Sequence, residues 1–256
     1  MERTESSQRR SKPKQSRPGT RTDAPGQPVS NALLCSLSDR DYSLIKPHLE
    51  RVDLRQHVIL QEPGGKLNFA HFLNDGLASL VVLTSDGRSV EVAIVGREGM
   101  IGTPLAVRMR GGPYRVIMQI PGSGVRVSSE MLDQILSEAP EFQRLLGRYV
   151  LIQGMQIAQI AACNRLHEIE HRLARWLLMC QDRVGSDWLP VTHEFLAQML
   201  GTGRPTVSLA AGILQRAGLI ENLRGSVKIL RRRELEHSAC ECYRAIQHFN
   251  DALAKP

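Results

Sequence analysis

The chain has 256 residues, of which 42% are hydrophobic and 23% charged, and its 33 lysines and arginines exceed its 26 acidic residues by seven. This length allows two compact domains, and the composition excludes collagen-like and repetitive proteins. The basic balance favours a polyanionic partner such as nucleic acid.

The basic charge is concentrated in two segments. Residues 1–28 carry seven basic and three acidic residues, and residues 191–233 carry seven basic and two acidic residues. The first segment is rich in Ser, Pro, Gly, Gln and Arg and has almost no large apolar residue, which predicts a disordered basic tail over residues 1–28. Five cysteines without an even framework, no hydrophobic leader and no long apolar run predict a cytoplasmic protein without a membrane partner.

Short apolar segments alternate with turn signals between residues 52 and 127. Asp86-Gly87 is the sharpest of these signals, because Asp-Gly readily adopts the positive backbone angles of a tight hairpin. Many short strands predict an antiparallel β domain closed into a barrel or a double-sheet roll, since closure hides the strand edges. We assign residues 29–140 to this domain.

A long helix is predicted over residues 141–167, where apolar residues recur at helical spacing without an internal proline. One seam resembles a short coiled-coil stripe and consists of Phe142, Leu146, Tyr149, Gln153, Ile157 and Ile160. Small residues such as Gly147 and Gly154 would let a second helix approach closely. A seam of this length at a domain border favours a dimer helix over a helix packed on its own domain.

Residues 192–215 are the most informative segment. Thr192 precedes the helical stretch HEFLAQML, Gly201-Thr202-Gly203 interrupts it, and Pro205 suits the first turn of the next helix. Gly201 supplies a left-handed turn, and Val207 fills the space between the two helices. Two short helices joined by such a turn form a helix-turn-helix.

Two short strands around Arg224-Gly225-Ser226 follow and predict the hairpin of a winged helix. We assign residues 168–236 to this domain and residues 237–256 to a last helix. Arg204 would bind guanine or phosphate, Leu209 would meet a thymine methyl, and the hairpin would reach the sugar-phosphate backbone. The expected DNA contacts are Thr192, Arg204, Thr206, Ser208, Leu209, Arg224, Ser226 and Lys228.

Over roughly residues 29–233 the chain resembles the family of the cyclic-AMP receptor and the fumarate-nitrate regulator, Crp/Fnr. The stretches that carry the resemblance are QEPGGKLNFAHFLNDGLASLVV, VSSEMLDQILSEAPEFQRLL and, most specifically, VTHEFLAQMLGTGRPTVSLAAGILQRAGLI. The resemblance implies an α+β fold with an N-terminal antiparallel β-roll of the cyclic-nucleotide-binding type, a long dimerisation helix and a C-terminal winged helix-turn-helix. It also implies a homodimer on double-stranded DNA, with two recognition helices about 34 Å apart in successive major grooves of a near-palindromic site. RNA polymerase is a further candidate partner.

The expected small-molecule effector is unknown, because the chain departs from the family pattern. Members that bind cyclic nucleotides carry a Gly-Glu pair for the ribose and an Arg-Ser or Arg-Thr pair for the phosphate. Here Gly102-Thr103 and Pro113-Tyr114 stand at those places. Gly102, Thr103, Arg110 and Arg115 remain the candidate effector pocket, but cyclic AMP is not expected without the acid. A cyclic-nucleotide-responsive regulator stays as an alternative, and only Cys35 lies where iron-sulfur members need several cysteines.

Three other classes of function were weighed against this one. An enzyme is not expected, since a nucleophile elbow, a P-loop, HExxH and paired CxxC motifs are all missing from the sequence. A metal or redox sensor would use His237, Cys240, Cys242 and His248 in the last helix. Residues two apart on a helix point away from each other, so Cys240 and Cys242 are not expected to share a metal, and no metal ligand is assigned. The third alternative is a module whose winged helix docks a protein.

Overall fold

The computed structural model describes residues 21–254. Its first part is mainly β-sheet. The strands are β1 Arg21–Thr22, β2 Pro28–Val29, β3 Glu50–Leu54, β4 Ile59–Gln61, β5 Phe69–Leu73, β6 Leu77–Leu83, β7 Ser89–Val95, β8 Met100–Ile101, β9 Arg115–Ile120 and β10 Gly122–Ser128. Two short helices precede β3, namely α1 Ala32–Ser36 and α2 Asp39–Ile45, and 3₁₀ turns cover Lys46–His48 and Thr103–Val107.

The second part is mainly helical. Its elements are α3 Ser129–Glu138, α4 Pro140–Leu166, α5 Ile169–Val184, β11 Trp188–Leu189, α6 His193–Leu200, α7 Arg204–Arg216, β12 Ile220–Leu223, β13 Ser226–Ile229, α8 Arg232–Ser238 and α9 Cys242–Ala254. Across residues 21–254, no helix has both the length and the apolar character needed to cross a membrane.

The predicted β-roll is confirmed. Two four-stranded antiparallel sheets, in the orders β3-β10-β5-β8 and β4-β9-β6-β7, face each other around an apolar core. The Asp86-Gly87 turn joins β6 to β7, with Gly87 at a φ of +83° and Leu83 paired with Ser89. Glycine tolerates this backbone angle without steric penalty, which fixes the hairpin register locally.

The predicted disordered tail is wrong for residues 21–28, and residues 1–20 lie outside the described part of the chain. Strand β1 pairs antiparallel with β2. The Arg21 guanidinium lies 4.5 Å from the centre of the Tyr42 ring, forms a 2.7 Å ion pair with Asp39 and donates to the Leu37 carbonyl. One arginine with three partners anchors a segment whose composition alone indicates disorder.

Helix α4 begins and ends close to the predicted bounds, but its predicted dimer seam lies inside the monomer. Phe142, Leu146, Tyr149, Gln153 and Ile160 are buried in the chain's own core, and Ile157 is partly buried there. The seam is covered because α4 packs along the roll, where Thr103 Oγ1 donates to Gln153 Oε1 at 3.0 Å. An apolar stripe shows that a helix face is buried, whichever surface covers it.

The predicted last helix over residues 237–256 is two helices instead of one. Ala239 has an extended backbone (ψ 152°) that ends α8, Cys240 lies in the connection, and Cys242 begins α9. Helix α9 then runs beside α4, where Gln156 donates to Asn250 and Arg148 donates to the Ala252 carbonyl at 2.7 Å.

A shared core joins the roll to the helical part. Leu77, Val81 and Ile94 of the roll belong to the same apolar cluster as Trp176 of α5. Glu91 is buried at this junction and accepts hydrogen bonds from Ser79 Oγ at 2.5 Å and Trp176 Nε1 at 2.7 Å. Burial raises the pKa of Glu91 to about 7, although these two hydrogen bonds and two arginine charges oppose the shift.

This raised pKa predicts that the junction weakens as the pH rises. Folding favours protonated Glu91, so its stabilisation is complete below the ordinary pKa of 4.5 and is lost as the pH passes 7. Between pH 5 and pH 8 we expect the free energy of unfolding to fall by about 2 to 3 kcal/mol more in the wild type than in Glu91→Gln. Denaturant titrations at both pH values measure this difference, and parallel profiles for the two proteins would contradict the assignment.

Candidate nucleic-acid interface

The structure contains the predicted helix-turn-helix. Thr192 Oγ1 accepts a hydrogen bond from the Phe195 backbone at 3.1 Å and caps α6. Gly201 ends α6 in the left-handed conformation (φ +61°), and α7 begins at Arg204, after two intervening residues, with Pro205 in its first turn. Val207 is fully buried where α7 packs on its neighbours. Each local signal in the sequence therefore has the predicted structural role.

The outer edge of α7 is exposed. Arg204, Thr206, Ser208 and Leu209 all face solvent, and the Leu209 side chain retains 64% of its accessible surface. It is α6 that docks on the roll instead, where Gln198 Nε2 donates to Ser89 Oγ at 3.2 Å. Docking through α6 leaves the recognition edge of α7 uncovered by the rest of residues 21–254.

The wing is a three-stranded antiparallel sheet in the order β11-β13-β12. Arg224, next to the tip glycine Gly225, and Lys228 on β13 are exposed. Ser226 is buried, and its hydroxyl points into the protein without a hydrogen-bond partner among the described residues. The expected DNA contact by Ser226 is therefore withdrawn, because a hydroxyl buried inside the domain cannot reach DNA at its surface.

His193 holds the helix-turn-helix and the wing together, and the sequence analysis missed it. One ring nitrogen lies 3.0 Å from Ser208 Oγ on α7, and the other lies 3.2 Å from Asn222 Oδ1 on β12. The Asn222 backbone in turn donates to Gln215 Oε1 at 2.8 Å. A lone histidine after a capping threonine carries no motif, so its role appears only when the three elements are in place.

Arg231 stabilises the end of the recognition helix. Its guanidinium donates to the carbonyls of Ala217 and Gly218, which follow the last turn of α7. A cation at this end also complements the negative pole of the helix dipole. The remaining exposed basic side chains of the helix-turn-helix and wing include Arg204, Arg216 and Lys228.

The hydroxyl and the two guanidinium groups among the candidate effector residues already have partners in the same chain. Gly102 has a φ of +90° and starts the 3₁₀ turn, and the Thr103 hydroxyl is bonded to α4. Arg110 pairs with Asp133 at 2.6 Å and with Glu130 at 3.4 Å, and Arg115 pairs with Glu62 at 2.9 Å. Each predicted cation is thus already neutralised by a carboxylate of the same chain.

The structure does not bring together the four residues of the metal-sensor alternative, namely His237, Cys240, Cys242 and His248. His237 and His248 are exposed. Cys240 and Cys242 instead lie beside Cys163 and His167 at the end of α4.

Comparison with known proteins decides the nature of the helical part. Residues 171–238 match the family model of the Crp-like helix-turn-helix domain. The chain carries a Crp-like helix-turn-helix domain. No curated protein sequence matches it significantly.

Solved structures share the fold of most of the chain at low sequence identity. A regulator described as of the Crp/Fnr family from Eubacterium rectale is 18% identical, with 81% of this chain and 97% of that chain covered and a TM-score of 0.63. FixK2 from Bradyrhizobium japonicum is 15% identical, with 75% and 98% covered and a TM-score of 0.65. CLP from Xanthomonas campestris, a c-di-GMP-responsive global regulator, is 16% identical, with 74% and 98% covered and a TM-score of 0.62. The predicted resemblance is confirmed: a Crp-like helix-turn-helix model matches residues 171–238, and the chain shares its fold with regulators described as of the Crp/Fnr family.

The contacts of His193 predict a measurable loss of stability in His193→Ala. The variant loses two side-chain hydrogen bonds, and we expect the free energy of unfolding to fall by about 1 to 2 kcal/mol. Thermal and denaturant unfolding measure the change. His237→Ala, at an exposed position of α8, is the matched control and should stay within about 0.5 kcal/mol of the wild type. If the two variants have equal free energies of unfolding, His193 does not stabilise the domain by bridging α7 and β12.

Proposed function

We propose that the chain is a homodimer that binds a near-palindromic operator, with one α7 helix from each protomer in successive major grooves about 34 Å apart. The observation that carries this proposal is the uncovered outer edge of α7 within a Crp-like helix-turn-helix. An edge with a guanidinium, two hydroxyls and an exposed leucine has the chemistry needed to contact phosphates and base edges.

Each exposed residue has a distinct proposed role at the operator. Arg204 lies at the positive N-terminal end of α7 and pairs with guanine or clamps a phosphate. Thr206 and Ser208 bond to phosphates or bases, and Leu209 packs on a thymine methyl. Thr192, Arg224 and Lys228 contact the backbone on either side, which positions the protein without reading sequence.

Arg204→Ala tests the role of α7. The operator is first selected from a random DNA pool with the wild-type protein, and affinity is then measured by fluorescence anisotropy at several salt concentrations. Loss of a bidentate base contact should weaken operator binding by about 10- to 100-fold, which corresponds to roughly 1 to 3 kcal/mol.

Arg40→Ala is the matched control, since it removes an exposed arginine from α2 in the N-terminal domain. We expect its operator affinity and salt dependence to stay at the wild-type values. If Arg204→Ala also binds the operator as tightly as the wild type, the proposed reading by α7 is refuted.

The proposed dimer uses the exposed face of α4, opposite the seam predicted from the sequence. This exposed stripe consists of Gly147, Leu151, Gly154, Met155, Ala158 and Ala162. A side chain at Gly147 or Gly154 would meet nothing within 4 Å, so a second helix has room to approach the backbone. Leu151, with 66% of its surface exposed, supplies an apolar side chain that a partner helix would cover.

Leu151→Arg tests this dimer face. A charge at the centre of a close helix pair would remain buried and unpaired, so we expect a predominantly monomeric protein by sedimentation or light scattering. Met109→Arg places the same charge at an equally exposed apolar residue of the roll and should leave the dimer intact. A dimer that survives Leu151→Arg, or a wild type that is already monomeric, would contradict the proposed face.

The roll is proposed to sense a small molecule other than cyclic AMP. Support comes from Thr103, which stands where an acid would bind the ribose, and from the carboxylates that already pair with Arg110 and Arg115. A cyclic phosphate would have to displace these carboxylates from their arginines, which lowers its net binding energy.

A further inference from the structure

Four potential metal ligands converge at the end of α4. Cys163 and His167 are one helical turn apart, so they share a helix face, and Cys240 and Cys242 come from the connection before α9 and from its first residue. Their ligand atoms, three sulfurs and one imidazole nitrogen, all lie within 4.8 Å of one another. The break after Ala239 takes Cys240 off the helix and removes the obstacle to a shared ligand set.

The spacing of these atoms suits a tetrahedral ion. Cys163 Sγ lies 3.4 Å from Cys240 Sγ, and Cys242 Sγ lies 3.6 Å from His167 Nδ1. Bonds of about 2.3 Å to sulfur and 2.0 Å to nitrogen place the ligands of tetrahedral Zn²⁺ roughly 3.5 to 3.8 Å apart. The widest pair therefore needs to close by about 1 Å, which side-chain rotation supplies.

Neighbouring side chains orient two of the four ligands. His167 Nε2 lies 3.1 Å from Glu241 Oε1, which leaves Nδ1 to face the three sulfurs. Gln159 Nε2 donates to Cys242 Sγ at 3.0 Å. A carboxylate behind a metal-binding imidazole and an amide donor on a thiolate are recurrent supports of zinc sites.

The surroundings also suit the charge of such a site. Three thiolates and Zn²⁺ carry a net charge of −1, and the buried Arg175 acts electrostatically on Cys163. The Nε of Arg175 has no hydrogen-bond partner in the described part of the chain. A cavity of about 310 Å³ lies beside the cluster and is lined in part by Cys240 and Glu241.

We propose that Cys163, His167, Cys240 and Cys242 bind one Zn²⁺ per chain in a closed tetrahedral site that fastens α9 to the end of α4. Three thiolates and an imidazole in a tetrahedron form a structural zinc site, whereas an iron-sulfur cluster is ordinarily held by four cysteines.

The proposed site includes His167, one of the two residues that connect the long helix α4 to the DNA-binding domain. Only His167 and Glu168 separate α4 from α5, and both have extended backbones. A metal bond to His167 fixes one of these two residues and so restricts the orientation of α5. This part of the inference rests on the proposed function, because it predicts stronger operator binding by the zinc-loaded chain.

Metal content is measured first, on the full chain purified under reducing conditions without added chelator. We expect one zinc per chain by mass spectrometry of the metal. Replacement of zinc by Co²⁺ should give the thiolate-to-cobalt charge-transfer absorption and the visible bands of a tetrahedral ion. Background metal in the isolated chain together with a featureless cobalt spectrum would overturn the proposal.

Variants then assign the ligands. Cys163→Ser and Cys242→Ser should lose the metal, and Cys35→Ser, which alters a buried cysteine of the N-terminal domain, should keep one equivalent. His167→Cys should retain the ion with an altered cobalt spectrum, and Glu241→Gln should weaken zinc binding about tenfold in chelator competition. Equal zinc content in Cys163→Ser and Cys35→Ser would refute the ligand set. The cobalt spectrum of the wild type tests the site without any variant, so a variant that fails to fold does not leave the proposal untested.

Two further outcomes are decisive. A Cys163–Cys240 disulfide in metal-free protein, found in peptides digested without reductant, would replace the zinc site by a redox pair.

Operator affinity is compared between chelator-stripped and zinc-reloaded chain, and we expect about tenfold tighter binding with zinc. Full zinc loading with unchanged operator affinity would contradict the effect on the hinge but not the zinc site. If neither form of the chain binds an operator, the proposed function is refuted, and the zinc stoichiometry still tests the metal site.

Discussion

The packing of α5 against one sheet of the roll fixes where the recognition helix stands. Trp176 of α5 enters the apolar core that Leu77 and Ile94 of the roll share, and its indole nitrogen bonds to Glu91. Near the C-terminal end of α5, Arg183 is buried and pairs with Glu98 at 2.7 Å. The roll thus holds α5 at its middle and near its C-terminal end, and α6 and α7 pack on that helix. Because close-packed contacts do not deform gradually, a displacement of the roll is transmitted through α5 to α6 and α7.

The junction is nevertheless unlike a uniform hydrophobic core. Glu91 has hydrogen-bonded partners on both sides of it, and Gln198 of α6 reaches Ser89 of the roll. Interfaces between domains of one chain are commonly more polar than domain interiors, and they separate at lower cost. Separation would return the Glu91 carboxylate to water, where ionisation is favourable, so proton release is linked to the opening of this surface.

The parts of the structure that the sequence predicted are those with local causes. Thr192, Gly201 and Pro205 each act within a few residues of their own position, and Asp86-Gly87 sets one hairpin by its own backbone angles. The errors lie where distant partners decide. The apolar seam of α4 indicates that this helix face is buried, but tertiary packing decides whether the roll or a second protomer covers it.

The same distinction explains the features that the sequence did not reveal. Arg21 orders its segment through contacts with residues 16 to 21 positions away. Cys163 and Cys240 are 77 positions apart and meet only because α9 turns back along α4. Cys240 and Cys242 would point away from each other on an unbroken helix, whereas the extended Ala239 interrupts that segment just before Cys240.

Helix α4 is the element on which these features converge. One of its faces is buried on the roll, another is held by α9, and the stripe from Gly147 to Ala162 remains uncovered. A rotation of α4 about its axis would therefore disturb all three surfaces at once, since they lie on one rigid rod of 27 residues. Along the backbone, such a rotation reaches the DNA-binding domain through the two-residue connection of His167 and Glu168. A constraint on His167 consequently removes part of the torsional freedom of this connection and limits how far α5, on which α7 packs, can turn relative to α4.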